Sequence, residues 1–121
     1  MQKIYHLSTC DTCKRIIKEL APPSTYSLQD VKKTPIDQKQ LEALKELSGS
    51  YQALFNKRAR LFKERALGEQ ILAEGDYKRL ILEHYTFLKR PVIVNQEQIF
   101  IGNSKKVVAQ AKISIQNIQN A

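Results

Sequence analysis

The sequence predicts an α/β fold: one four-stranded mixed sheet with helices on both faces. Three observations carry this. The apolar patterns run in the order strand, helix, strand, several helices, hairpin, helix. A Cys-x-x-Cys pair, Cys10 and Cys13, falls at the first strand–helix junction, and Pro91 opens the hairpin. A βαβ unit followed by a ββα unit supplies the four strands, and the helical pieces between about 34 and 88 form an insertion at one end of the sheet. The 121 residues suit a single domain, 1–121, around one core.

Ile4, Tyr5 and Leu7 make a short buried strand. Cys13, Ile16, Ile17 and Leu20 then recur at helical spacing. Cys10 therefore lies at or near a helix start, where unpaired N–H groups and the positive end of the helix dipole lower a thiol pKa. Cys13 is one turn further on and can reach it. Thiol chemistry, inert core cysteines and a metal site all fit such a pair. The metal reading is the weakest: zinc takes about four ligands, and only His6 and His84 add to the two cysteines. No metal is expected.

Ala21-Pro22-Pro23-Ser24 stops the first helix, and Thr25 to Leu28 reads as a second strand, parallel to the first through the helical crossover. Thr34-Pro35-Ile36-Asp37 predicts a helix start with Thr34 as cap; Leu41, Leu44 and Leu47 give its buried stripe, and Gly49 ends it. Ser50 caps a short helix burying Tyr51, Leu54 and Phe55, and Asn56-Lys57-Arg58 is a polar junction. Ala59 to Ala66 is helical again through Leu61 and Phe62. Asp76 caps the next helix, with Tyr77, Leu80, Ile81, His84 and Leu88 on one stripe, where His84 reads as a packed residue. Arg90 to Val94 is a strand, Asn95-Gln96 its turn and Gln98 to Ile101 the returning strand. Gly102-Asn103 breaks the hairpin. Ser104 caps a last helix burying Val107, Val108, Ala111, Ile115 and Ile118. With the cysteine pair at the strand–helix turn, this order is the thioredoxin-like arrangement. Pro91 is its natural candidate for a cis peptide bond beside Cys10.

Composition narrows the function classes. No apolar run approaches the roughly 18 residues of a membrane span, and the polar N-terminal stretch does not read as a signal peptide. The expected place is the reducing cytoplasm, where a Cys-x-x-Cys pair is more often reactive than structural. The net charge of +8 permits anionic partners, but the lysines are scattered, so no direct nucleic-acid binding is expected.

YHLSTCDTCKRIIKEL, LFNKRARLFKE, and FLKRPVIV followed by IFIGNSKKVV resemble the arsenate reductase–like family. That family groups glutaredoxin-linked arsenate reductases, Spx-type transcriptional regulators and YffB-type small proteins on a thioredoxin-like fold with a helical insertion. The resemblance implies that Cys10 is the nucleophile and that Arg90 is one of three arginines holding an oxyanion. The other two arginine positions fall at Asn56 and near Gly102, with Arg58 two residues from the first. Asn56, Arg58, Thr12 and Pro91 complete the expected anion-binding set. Cys13 matches the redox switch of the Spx-type members, which makes it the expected resolving thiol. A thiol–disulfide oxidoreductase follows, a monomer without bound cofactor, served by glutathione, glutaredoxin or thioredoxin as reductant. Two further readings stand beside it: a redox-sensing regulator that binds RNA polymerase, and an arsenate reductase. With two arginines missing, arsenate turnover is expected to be weak.

Overall fold

The computed structural model describes residues 1–119, with side chains through Asn117; the expected burial of Ile118 lies outside the described residues. The fold is the thioredoxin-like α/β one, with the four strands and the helical insertion that the sequence predicts. The chain divides into two compact units, Met1–Thr34 with Arg90–Ala121, and Pro35–Lys89.

The first unit holds the sheet. Strand β1 (Gln2–His6) leads through helix α1 (Asp11–Leu20) to β2 (Ser27–Asp30), and the late segment supplies β3 (Val92–Asn95) and β4 (Gln98–Ile101). The strand order is β2-β1-β3-β4. β1 runs parallel to β2, pairing Ile4 with Leu28 and His6 with Asp30. It runs antiparallel to β3, pairing Ile4 with Ile93 and Tyr5 with Val92. Ile4 and Ile93 meet Ile16 and Leu20 of α1 and Val108, Ala111 and Ile115 of the C-terminal helix in one buried cluster, so these two helices cover a common face. Val92, Ile93 and Val94 are all fully buried, as expected of a strand with apolar residues on both faces.

Several boundaries in this unit differ from expectation: β1 ends at His6 and leaves Leu7 outside, and β3 begins at Val92 rather than Arg90 and runs on to Asn95. β2 begins two residues later than predicted, because the Tyr26 N–H bonds Pro23 O at 3.0 Å and holds Ser24-Thr25 in a turn. It extends into Gln29, a polar side chain that is nonetheless buried because its Nε2 donates to Thr34 O at 2.9 Å. The hairpin turn is Gln96-Glu97 rather than Asn95-Gln96: Asn95 still pairs with Gln98, and Gln96 takes the positive φ of 58°. Buried Asn95 donates to Ser114 Oγ at 2.9 Å, which gives this polar residue a partner inside the unit.

The second unit is helical. Helix α2 (Gln38–Ser48) is capped by Asp37 rather than Thr34: Asp37 Oδ1 accepts from the Gln40 N–H at 2.7 Å, and Gln40 Oε1 accepts from the Asp37 N–H. Leu41 and Leu44 are buried, and Gly49 ends the helix at φ 90°. A 3₁₀ turn, Gln52–Leu54, follows with Ser50 Oγ accepting from the Ala53 N–H, and α3 covers Arg60–Glu64. Helix α4 (Glu74–Glu83) starts before its predicted cap: Ala73 is the cap position, and Asp76, within the first turn, accepts the Ala73 N–H at 2.8 Å. His84 leaves the helix, and its Nδ1 accepts from the Thr86 N–H. The last helix of the chain, α5 (Lys105–Gln119), returns to the first unit and is capped by Ser104, whose Oγ accepts from the Val107 N–H.

Candidate functional site

The Cys10 turn is built by the strand–helix junction itself. After β1 the chain turns tightly, with the Cys10 N–H donating to Leu7 O at 3.0 Å. Cys10 then takes the N-cap position of α1 at φ −94° and ψ 115°, and its carbonyl accepts the first helical bond from Lys14. No oxygen-bearing side chain occupies the cap. The orphan N–H groups of the first turn are left to the sulfur.

Both cysteines are free thiols, yet their settings push them in opposite directions. Burial raises the Cys10 thiol, but hydrogen bonds from the backbone and side chain of Cys13, a bond from the Thr12 backbone and the Arg90 charge outweigh it, and the net direction is down. Cys13 has no solvent exposure. Burial, with the negative charge of Cys10 and the hydrogen bond given to it, pushes Cys13 up to about 11, against a backbone bond at Leu7 and the Arg90 charge. The pair is therefore an outer sulfur set to ionise and an inner sulfur set to keep its proton.

Arg90 reaches this site through the sheet. β3 pairs with β1, so it enters the sheet at the end where the cysteine turn leaves it. The Arg90–Pro91 bond is cis, and Pro91 O accepts from the Gly102 N–H at 2.9 Å. The structure thus gathers Cys10, Cys13, Thr12, Arg90 and Pro91 in one unit. Gly102 carries no cation and has φ 93°, a backbone region in which a side-chain-bearing residue such as arginine would be strained.

Asn56 and Arg58 lie in the helical unit. Asn56 is fixed: its Nδ2 donates to Thr86 O at 3.2 Å, and its Oδ1 accepts the Arg58 N–H at 3.0 Å. Both line a pocket of about 530 Å³ together with Lys57 and Lys89. The contributions of Lys57 and Lys89 were not foreseen, since exposed lysines carry no periodic signal. Among the described residues no group of three or more His, Cys, Asp and Glu side chains forms a metal cluster, and no helix is long and apolar enough to cross a membrane.

Comparison with known proteins gives these observations a family. The profile of the ArsC family matches residues 5–111, which spans both cysteines, the insertion, Arg90 and the first two turns of α5. The chain belongs to the ArsC family. Solved structures of similar fold include a protein described as ArsC-family related from Bacteroides fragilis, at 20% identity and TM-score 0.75, covering 91% of this chain and 96% of that one. An arsenate reductase from Vibrio cholerae matches at 22% identity and TM-score 0.70, over 94% and 98% of the two chains. An arsenate reductase (ArsC) related protein from Brucella melitensis matches at 21% identity and TM-score 0.66, over 87% and 88%. At these identities the ArsC structures establish the shared fold alone. No curated protein sequence matches this ArsC-family chain.

Proposed function

We propose that this ArsC-family protein is a thiol–disulfide oxidoreductase in which Cys10 attacks and Cys13 resolves. The observation that supports it is the opposed setting of the two sulfurs: Cys10 lowered at the start of α1, Cys13 buried beneath it and pushed up to about 11. The Cys10 thiolate attacks one sulfur of a substrate disulfide, forming a mixed disulfide and expelling the other half as a thiolate that takes a proton from water. Cys13 then loses its proton and attacks Cys10 Sγ, expelling the second half. The substrate gains two electrons, and the protein ends as the Cys10–Cys13 disulfide. Two of the influences that raise Cys13, the Cys10 charge and the hydrogen bond to it, vanish once Cys10 is in the mixed disulfide. Burial, the largest influence, remains, so the first step eases the ionisation of Cys13 without completing it. A cytoplasmic dithiol or glutathione, delivered directly or through glutaredoxin or thioredoxin, would return the protein to its reduced state. Arg90 supports the ionised Cys10, and Thr12 supplies a backbone N–H to it. Arg58 and Asn56, which line the pocket of the helical unit, are the residues we assign to binding an anionic group.

Glutathione disulfide tests the cycle. Wild-type protein should lose two thiols without dimerising, whereas Cys13→Ser should stop at a mixed disulfide with one glutathione, both read by intact mass. A wild-type chain that also stops at the mixed disulfide removes Cys13 from the cycle. Arsenate with glutathione and glutaredoxin is the second arm, and weak turnover is expected because the resemblance puts two of three oxyanion-holding arginines at Asn56 and near Gly102, where no arginine stands. Recovery of RNA polymerase by the bound protein, with no disulfide turnover, would favour the regulator reading.

A further inference from the structure

The end of β2 carries a contact that the cysteine chemistry described above does not use. β1 and β2 are parallel and end together, His6 opposite Asp30. Only Leu7, Ser8 and Thr9 separate His6 from Cys10. Within that short connection Ser8 Oγ donates to Asp30 Oδ2, and the Ser8 backbone also hydrogen-bonds the same carboxylate. The other oxygen, Oδ1, accepts the Lys32 N–H at 3.0 Å, which fixes the carboxylate to the turn after β2. The Val31 N–H donates to His6 O at 2.9 Å, joining the same two chain segments from the backbone side.

We propose that Asp30 is a positioning residue for Cys10: it anchors the Ser8–Cys10 turn to the end of β2 and so holds the sulfur against the N–H groups of α1. This rests on Cys10 being the attacking sulfur. The reason is directional. Hydrogen bonds weaken steeply with angle, and the bonds that favour the Cys10 thiolate come from the Thr12 and Cys13 backbone at the first turn of α1. A turn of three residues pinned at Ser8 cannot drift from that first turn without breaking its bonds to Asp30. The carboxylate suits the task at neutral pH. The Ser8 hydroxyl, followed by the Lys32 and Ser8 backbone bonds and the nearby His6, holds the Asp30 carboxyl below its ordinary value, and burial opposes them. His6 itself is lowered by burial, with Asp30 acting in the opposite sense.

The sign of the effect separates an anchor from a charge. A negative group acting through space would disfavour the Cys10 thiolate, so its removal would lower the Cys10 midpoint. Removal of an anchor raises it. Asp30→Ala, Asp30→Asn and Ser8→Ala in the full chain are compared by pH-dependent iodoacetamide labelling of the Cys10 peptide and by thiolate absorbance. Asp30→Ala and Ser8→Ala should each raise the midpoint by about half a unit to one unit, roughly a three- to tenfold loss of thiolate on the acid side of the midpoint. The double variant should add little, because both remove one contact. Asp30→Asn keeps an acceptor without the charge and should fall between wild type and Asp30→Ala. Unchanged midpoints in Asp30→Ala and Ser8→Ala, or a downward shift in both Asp30 variants, would overturn the anchor. If Asp30→Ala does not fold, Ser8→Ala decides alone. A wild-type Cys10 that titrates as an ordinary thiol would overturn the role of Cys10, and the anchor with it, a result distinct from an acidic Cys10 that the variants leave unmoved.

Discussion

In the helical unit, charges of opposite sign meet at the surface. Arg65 lies 2.6 Å from Glu83 and Lys78 lies 2.9 Å from Glu42. Residues 35–89 hold ten Lys and Arg against eight Asp and Glu, while the sheet unit holds ten against four. In the sheet unit one cation, Arg90, acts on two sulfurs. The contrast teaches where electrostatics has leverage. Exposed pairs such as those of the insertion are screened by water and contribute little to stability. A cation beside half-buried and buried thiols favours the ionised form of both, while burial and hydrogen bonds set which of them keeps its proton. The insertion is held instead by rings: Phe55 stacks on Phe87 with centroids 5.3 Å apart and meets Tyr77 at 4.9 Å and Phe62 at 6.0 Å.

The strongest way to sharpen that contrast is to empty the ring cluster. Phe55 is 1% exposed, so Phe55→Ala should cost about 3–5 kcal/mol of stability, the usual range for a buried aromatic. Chemical denaturation followed by circular dichroism reads it, and a loss under ~1 kcal/mol would mean that the aromatic cluster is not what holds the insertion.

A smaller effect belongs to the inner sulfur. Cys13 is raised from 9.0 to about 11 in the fold, so the native state holds its proton where the unfolded chain has released it. A raised pKa contributes fully below the unfolded value and is lost as pH climbs through the folded one. Stability should therefore fall between pH 9 and about 11, by on the order of 3 kcal/mol. Cys10, lowered in the fold, adds stability that is present above the unfolded value and is lost as pH falls through the folded one. Cys13→Ala should flatten the alkaline decline. An equal decline in that variant would assign it to other groups.

The smallest expected change is at Arg90. Arg90→Gln should raise the Cys10 labelling midpoint by a few tenths of a unit to one unit, since the charge is the last-ranked of the influences acting there. High salt should narrow the difference between wild type and variant. A midpoint that does not move would leave the helix start as the source of the Cys10 acidity and would confine Arg90 to another role.

Much of this was legible in the chain. The spacing of Cys13, Ile16 and Leu20 placed Cys10 at the helix start, because a helix longer than two turns displays its period plainly. The two-strand hairpin and its proline were equally visible. Boundaries governed by polar contacts were not. β2 runs on through Gln29 because that amide finds Thr34 O, and no apolar alternation marks such a position. Asp37 displaced Thr34 as a cap because Gln40 completes a reciprocal pair of bonds with it, where hydroxyl and carboxylate were both eligible. Ser8 and Asp30 are 22 residues apart, and only the parallel register brings them together. The elements that carry the KRPV stretch and the cysteine turn were readable, and one sheet joins them. Lys57 and Lys89 were missed because a pocket rim leaves no pattern in the sequence.

The complete burial of Cys13 has a consequence for oxidative damage. A peroxide molecule meets one sulfur, Cys10, and converts it to a sulfenic acid that a second encounter would carry on to the irreversible sulfinic stage. Cys13, as the proposed resolving thiol, would condense with that sulfenic acid, expelling water and closing a disulfide that a reductant can reopen. The chain's lifetime under peroxide is then a race between a second collision from solvent and a capture from within, and the burial of Cys13 ensures that the rescuing sulfur is not itself consumed first.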